Sequence, residues 1–227
     1  MIPTRRELLI GASAVWLACG ETSAQAQSAN ALNLTGDDGK SVVNYRLASD
    51  VSASTLPGIL WIGATEPSVT LIELFDYNCG FCHRAAGEID ALLAQDKGLR
   101  LGLLNNAIIG LGSVQAAKVQ QAVLTLYGPQ RAYAFHKAMF AHRGENDGLT
   151  ALDIAKKQKL DVAGLEAAAD SDATSEDLIA QVKFARANGF VATPSFILKD
   201  IGLLGYPGTH SLQRMIVAAR TCGKLLC

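Results

Sequence analysis

Cys79 and Cys82 stand two residues apart in the run Asn78-Cys79-Gly80-Phe81-Cys82-His83. A pair so spaced can close into a disulfide and reopen, passing two electrons to or from a disulfide in another molecule. The attacking sulfur must be a thiolate, and a thiol near its ordinary pKa is mostly protonated at neutral pH. The fold therefore has to stabilise an anion at one of the two sulfurs. Exchange also requires the client's sulfur to line up with both protein sulfurs, so the client's backbone must be held. Thr193-Pro194 meets that need if the peptide bond is cis, because a cis proline presents a neighbouring backbone edge to an extended peptide. An ordinary trans proline opening an edge strand is the alternative.

The elements that must place these residues are legible on either side of them. Val69 to Phe75 is apolar enough for a strand buried on both faces. From His83 to Ala94, apolar or small residues at Ala86, Ile89, Leu92 and Leu93 recur as in a helix. The cysteines thus fall at a strand-to-helix junction. With Asn78 as N-cap, Cys79 sits in the first turn, where unpaired N–H groups and the positive end of the helix dipole favour its anion. Cys82 comes round to the same end, one turn deeper. The expected roles are Cys79 as exposed nucleophile and Cys82 as buried resolving thiol.

The chain of 227 residues, with a formal net charge of −1, has an ordinary soluble composition that points neither to nucleic acid nor to an anionic membrane surface. Residues 1–26 read as a cleaved export signal. Arg5 and Arg6 precede the apolar stretch Leu8 to Ala18, and Ala24-Gln25-Ala26 offers a small-residue cleavage site. Thr4-Arg5-Arg6-Glu7-Leu8-Leu9 resembles a twin-arginine signal; an ordinary secretory signal and a lipoprotein signal at Cys19 are the alternatives. Removing it leaves Cys79, Cys82, Cys222 and Cys227, an even number suited to an oxidising compartment such as the periplasm.

Residues 27–58 form a polar leading segment in which Leu32/Leu34 and Val43/Tyr45/Leu47 alternate around Asp37-Asp38-Gly39-Lys40, predicting a hairpin. It either packs on its own domain or serves oligomerisation. Strands are expected at Ile59–Ile62, Leu99–Leu104, Ser195–Leu198 and Gly202–Leu204, with a closing helix over Ser211–Thr221. Residues 113–188 predict four or five helices, broken at Gly128-Pro129, at Gly144 to Gly148 and near Asp161; the last is capped by Thr174 and ends at Asn188-Gly189. The order is α/β, split into 59–112 and 189–221 by an all-helical insertion, with a tail at 222–227. Cys222 and Cys227 would lie about 7.5 Å apart in rise along a continuous helix, too far to bridge. Gly223 can end the helix and let the tail fold back, so a structural disulfide is expected, with a free pair or a second redox pair as alternatives.

Two other chemistries fit fragments of the pattern. Cys79-x-x-Cys82-His83 spells a c-type haem attachment site with His83 as axial ligand, yet it follows a strand with no evident haem pocket. Zinc needs further ligands, and His136, His142 and His210 form no second pair at ligand spacing. No metal and no cofactor are expected.

Phe75-Asp76-Tyr77-Asn78-Cys79-Gly80-Phe81-Cys82-His83-Arg84, Val191-Ala192-Thr193-Pro194-Ser195-Phe196 and Leu204-Gly205-Tyr206-Pro207-Gly208 together resemble the DsbA family of periplasmic disulfide oxidoreductases over roughly residues 59–221. The resemblance implies a thioredoxin fold with an inserted all-helical domain, a cis bond before Pro194, and a thiol:disulfide oxidoreductase. Its clients would be unfolded or partly folded exported proteins, and a membrane redox protein would reset the pair. At the spacing of Glu73, six residues before Cys79, thioredoxin-like proteins carry an acid beneath the site that accepts the proton of the resolving cysteine. A carboxylate in an apolar strand has a raised pKa suited to that work; reaching solvent at the sheet end is the other possibility for Glu73. Gly80 and Phe81 stand where the DsbA pattern has Pro-His, and Thr193 is closer to isomerase and reductase relatives. Oxidase is the favoured direction, with isomerase or reductase as the alternative.

Overall fold

Alternation decides which side of the sheet each residue of the central strand serves. In β3 (Val69–Phe75), Leu71, Glu73 and Phe75 face one layer of core, while Ile72 and Leu74 face the other. Five of the seven residues are apolar and the strand is buried almost throughout, as a strand covered on both faces requires. The computed structural model describes residues 31–49 and 51–227. The export-signal reading of residues 1–26 lies outside them.

The strands are β1 (Val43–Arg46), β2 (Leu60–Gly63), β3, β4 (Leu99–Asn105), β5 (Ser195–Leu198) and β6 (Ile201–Leu204). They form one sheet in the order β1-β6-β5-β3-β4-β2. β3 and β4 are parallel, with Glu73 beside Leu103; β5 runs antiparallel to β3, with Phe196 beside Glu73. The helices are α1 (Gly80–Gln95), α2 (Leu111–Ala141), α3 (Gly148–Lys157), α4 (Val162–Ala169), α5 (Asp172–Ala187) and α6 (Thr209–Thr221). α1 connects β3 to β4, the crossover a parallel pair requires. α2 to α5 all lie between β4 and β5, so this is a thioredoxin-like fold carrying a helical insertion. α2 is two rods meeting at Gly128, whose φ of 78° leaves the helical region just before Pro129.

Two expectations change. The turn at Asp37–Lys40 forms, with a bridge between Thr35 and Ser41, but the arm that follows it makes its ladder with β6. Alternation marks a strand without naming its neighbour. The turn also works at a distance. The Asp37 carboxylate accepts from the backbone N–H groups of His210 (2.9 Å) and Ser211 (2.7 Å), capping α6, whose own N-cap residue is Gly208. Last, α5 is capped by Ser171, whose hydroxyl accepts from Thr174 N–H, so Thr174 itself lies inside the first turn.

Candidate active site

The loop from Asp76 to Cys79 turns β3 into α1, and its conformation is held by side chains that come from far along the chain. Asp76 is buried and accepts four bonds: Asn78 N–H at 2.8 Å and Ser113 Oγ–H at 2.6 Å on one oxygen, Ile108 and Ile109 N–H at 2.9 and 3.0 Å on the other. This binds the redox loop to the start of α2. Asn78 does not cap α1. Its side chain instead exchanges bonds with the backbone of Asn146, accepting at 2.7 Å and donating at 2.9 Å, and also donates to Ser113 Oγ. Asn146 in turn donates to the Tyr77 carbonyl. The cap position is taken by Cys79 itself, in extended conformation.

At that position the Cys79 sulfur faces the N–H groups of the first helical turn. Its pKa falls to about 5. Hydrogen bonding from Cys82 contributes most, opposed by desolvation and helped by the Thr193 side chain and by the Cys82 and Phe81 backbone. In the thiol form Sγ–H donates to the Thr193 carbonyl at 3.0 Å. That bond favours the proton, while donors to the sulfur favour its loss, and the donors prevail. The expectation of an exposed nucleophile is corrected in part. Cys79 is only 6% exposed, tucked against Thr193, whereas Cys82 is wholly buried. Burial, the bond to Cys79 and the charge of Glu73 push the Cys82 thiol well above the ordinary thiol range. The two sulfurs are both free and are driven apart in acidity.

The Thr193-Pro194 peptide bond is cis, and it lies at the redox end of α1, with Pro194 buried. Glu73 projects from β3 on the α1 side of the sheet. It is 1% exposed, which removes the alternative that it reaches solvent. Among the described residues its Oε1 has no hydrogen-bond partner. Desolvation, with the charge of Cys79 added, raises its pKa to about 8. Gly80 has open space around it, and Phe81 is exposed, with the Arg84 guanidinium 5.2 Å from its ring centre. Beside the pair lies a cleft of about 470 Å³ lined by Asn78, Gly80, His83, Ile109, Ser113 and Glu145 among others. Ile108 and Ile109 on the loop into α2, and Leu111 at its first position, leave apolar surface exposed around it.

His83, in the first turn of α1, is a bonded member of the site. Its Nδ1 and Nε2 lie 3.0 Å from the Phe140 carbonyl and 2.9 Å from the Tyr77 carbonyl. With both nitrogens turned to backbone oxygens, neither is presented for axial ligation of a haem. Among the described residues no group of His, Cys, Asp or Glu forms a metal site. Cys222 and Cys227 are joined by a disulfide, remote from the redox pair. Sequence reasoning gave no role to Asp76, Ser113, His136 or Asn146. Only Asp76 carried a local signal, a carboxylate at the end of an apolar strand.

Comparison with known proteins agrees with this geometry. A family model described as thioredoxin matches residues 55–216. No curated protein matches the chain. Among solved structures, a thioredoxin-like oxidoreductase from Silicibacter pomeroyi is 29% identical with a TM-score of 0.70, the match covering 76% of this chain and 99% of that one. The thiol-disulfide exchange protein alpha-DsbA2 from Wolbachia pipientis is 24% identical, TM-score 0.66, over 71% and 87% of the two chains. Oxidised BdbD from Bacillus subtilis is 19% identical, TM-score 0.67, over 77% and 98%. These last two are likenesses of fold.

Proposed function

The chain belongs to the thioredoxin family, and from that premise we propose that it is a thiol–disulfide oxidoreductase whose Cys79–Cys82 pair introduces disulfides into exported proteins. The observation that carries this reading is the opposed acidity of the two sulfurs, with Cys79 held to about 5 and Cys82 held high. A stabilised thiolate stabilises the reduced pair, and a pair stable when reduced gives its disulfide away.

The reaction begins with the Cys79–Cys82 disulfide. A client thiolate attacks Cys79 Sγ and the Cys79–Cys82 bond breaks, leaving Cys82 as a buried thiolate. Glu73, protonated at neutral pH because its pKa is near 8, supplies the proton that Cys82 takes. A second client thiolate then attacks the client sulfur of the mixed disulfide. The client disulfide forms, Cys79 leaves as its stable thiolate, and two electrons have passed from client to pair. A membrane redox protein reoxidises the pair by the same exchange. In the reverse, reducing direction Glu73 as carboxylate takes the proton of Cys82. Thr193 holds the client's backbone alongside Cys79, supported by the 3.0 Å approach of its carbonyl to Sγ. The apolar surface of Ile108, Ile109 and Leu111 suits clients that are not yet folded. The reading assigns the protein to the periplasm, where exported clients are met before they fold.

The deciding experiment equilibrates the pair in glutathione buffers, then compares oxidation of a reduced client with renaturation of a scrambled one. The expected result is a potential above that of glutathione and faster oxidation than renaturation. Preferential renaturation would reverse the direction in favour of the isomerase. Exchange that survives Cys79→Ser would overturn the reading altogether.

A further inference from the structure

Resting on the exchange proposed at Cys79, we propose that Glu145 selects clients by charge, favouring cysteines that have a lysine or arginine close by in the client chain. The cleft of about 470 Å³ beside the redox pair has Gly80 and His83 of α1 on one wall and Ile109, Ser113 and Glu145 on the other. Among the described residues that line it, Glu145 is the only carboxylate, and none is a lysine or an arginine. The neighbour of Glu145 fixes its place. Asn146 exchanges two bonds with the side chain of Asn78 and donates a third to the Tyr77 carbonyl, and Asn78 directly precedes Cys79. A negative charge therefore stands one residue away from the clip that holds the redox loop. Its side chain bends over the first turn of α2, where a Cβ on Gly112 would come within 2.8 Å of Glu145 Oε1. That helix begins at Gly110 without a side-chain cap, and its end favours a negative charge above it.

The charge is open to a client because nothing nearby neutralises it. Among the described residues Glu145 makes no ion pair. Arg143 precedes it on the same loop without lining the cleft. Arg84 is turned to the ring of Phe81, 5.2 Å from its centre, and does not line the cleft either. Asp147 is occupied in capping α3, its Oδ1 accepting from Thr150 N–H at 2.8 Å. His83 has both nitrogens on backbone carbonyls. A lysine or arginine near the reacting client cysteine can lay its aliphatic stem on Ile109, which is 53% exposed, and bring its head to Glu145. An aspartate or glutamate in the same place meets a like charge. Selection thus has an attractive half and a repulsive half. A carboxylate on the rim of a binding surface acts mainly on encounter, so its effect has to fade as salt screens it.

The test uses two dithiol peptides, identical but for a lysine or a glutamate placed in turn before and after the first cysteine. Each reduces the oxidised protein in a single turnover, and the rate of loss of the Cys79–Cys82 disulfide is read. The lysine-to-glutamate rate ratio, divided by the same ratio for Glu145→Gln, cancels the peptides' own difference in thiol acidity. That quotient is expected to be about five at low salt, the most that an exposed ion pair supplies. It should fall towards one as the screening length shrinks from ~30 Å at ~0.01 M salt to ~3 Å at ~1 M. Glu145→Asp should keep the preference for lysine, and Glu145→Lys should invert it. A quotient of one at low salt, a quotient indifferent to salt, or a lysine preference surviving in Glu145→Lys would each overturn the assignment. A lower melting temperature in Glu145→Gln with a quotient of one would leave Glu145 serving only the end of α2. If neither peptide reduces the pair, the proposed function itself fails, and the selection falls with it.

Discussion

At the scale of the residue, the site is a contest between burial and hydrogen bonding, and the two cysteines come out on opposite sides of it. Donors at the start of α1 outweigh desolvation at Cys79, and desolvation wins at Cys82. Alkylation of Cys79 in the reduced protein should accordingly be flat from pH 8 to pH 6 and halve near pH 5. An inflection near the ordinary thiol value, measured by iodoacetamide trapping, would remove the thiolate from the mechanism. Glu73 carries the opposite sign. Its pKa rises from 4.5 unfolded to about 8 folded, so the folded state holds its proton where the unfolded state has lost it. Its burial costs nothing below about pH 4.5, and the cost grows through pH 8. Glu73→Gln should therefore leave the melting temperature unchanged at pH 4 and raise it at pH 8. A constant difference across that range would mean the carboxyl is not raised. Part of the shift comes from the Cys79 charge, so the gain should be larger in the reduced than in the oxidised protein.

At the scale of the element, α1 presents its first turn correctly only because the loop before it is tied to the insertion. Asp76 serves three backbone N–H groups and one hydroxyl. Asp76→Ala leaves those donors without their acceptor, and at about 1–3 kcal/mol for each that stays buried, a total loss of about 3 kcal/mol or more is expected in urea unfolding. A loss below 1 kcal/mol would show that solvent replaces the carboxylate freely. How legible the site was in the chain follows from the range of its contacts. Cys79, Cys82 and Glu73 belong to one strand–turn–helix passage, where periodicities of 2 and 3.6 put each residue on its face. Pro194 was found through its own local motif. Asn146, Ser113 and His136 meet the redox loop across 68, 37 and 59 residues. Nothing at those positions signals the partner until the insertion docks. The mistaken cap at Asn78 has the same origin. Asn is a good N-cap by propensity, but the backbone of Asn146 offers it two bonds at once and the cap position falls to Cys79. The leading segment repeats the lesson, since its alternation predicted a strand and β6 supplied the neighbour.

At the scale of the whole molecule, the two cysteine pairs sit at opposite ends. α1 runs about 24 Å from the redox pair to Asp96 at its far end. There Arg220 of α6 meets Asp96 at 2.5 Å, and the Cys222–Cys227 disulfide follows directly. Its two cysteines are exposed while Leu225 between them is buried, so the bridge pins a small loop onto the base of the domain. Closing so short a loop contributes about 2 kcal/mol by the chain-entropy estimate. The double variant Cys222→Ala/Cys227→Ala should then melt a few degrees lower and exchange disulfides at the unmodified rate. If the exchange rate fell with it, electrons would have to pass between the ends of α1, and among the described residues no further cysteine lies in the intervening core to carry them. The expected independence is what a client-facing pole and a stapled pole require: reactivity is tuned where the insertion meets α1, and the far end only has to stay folded.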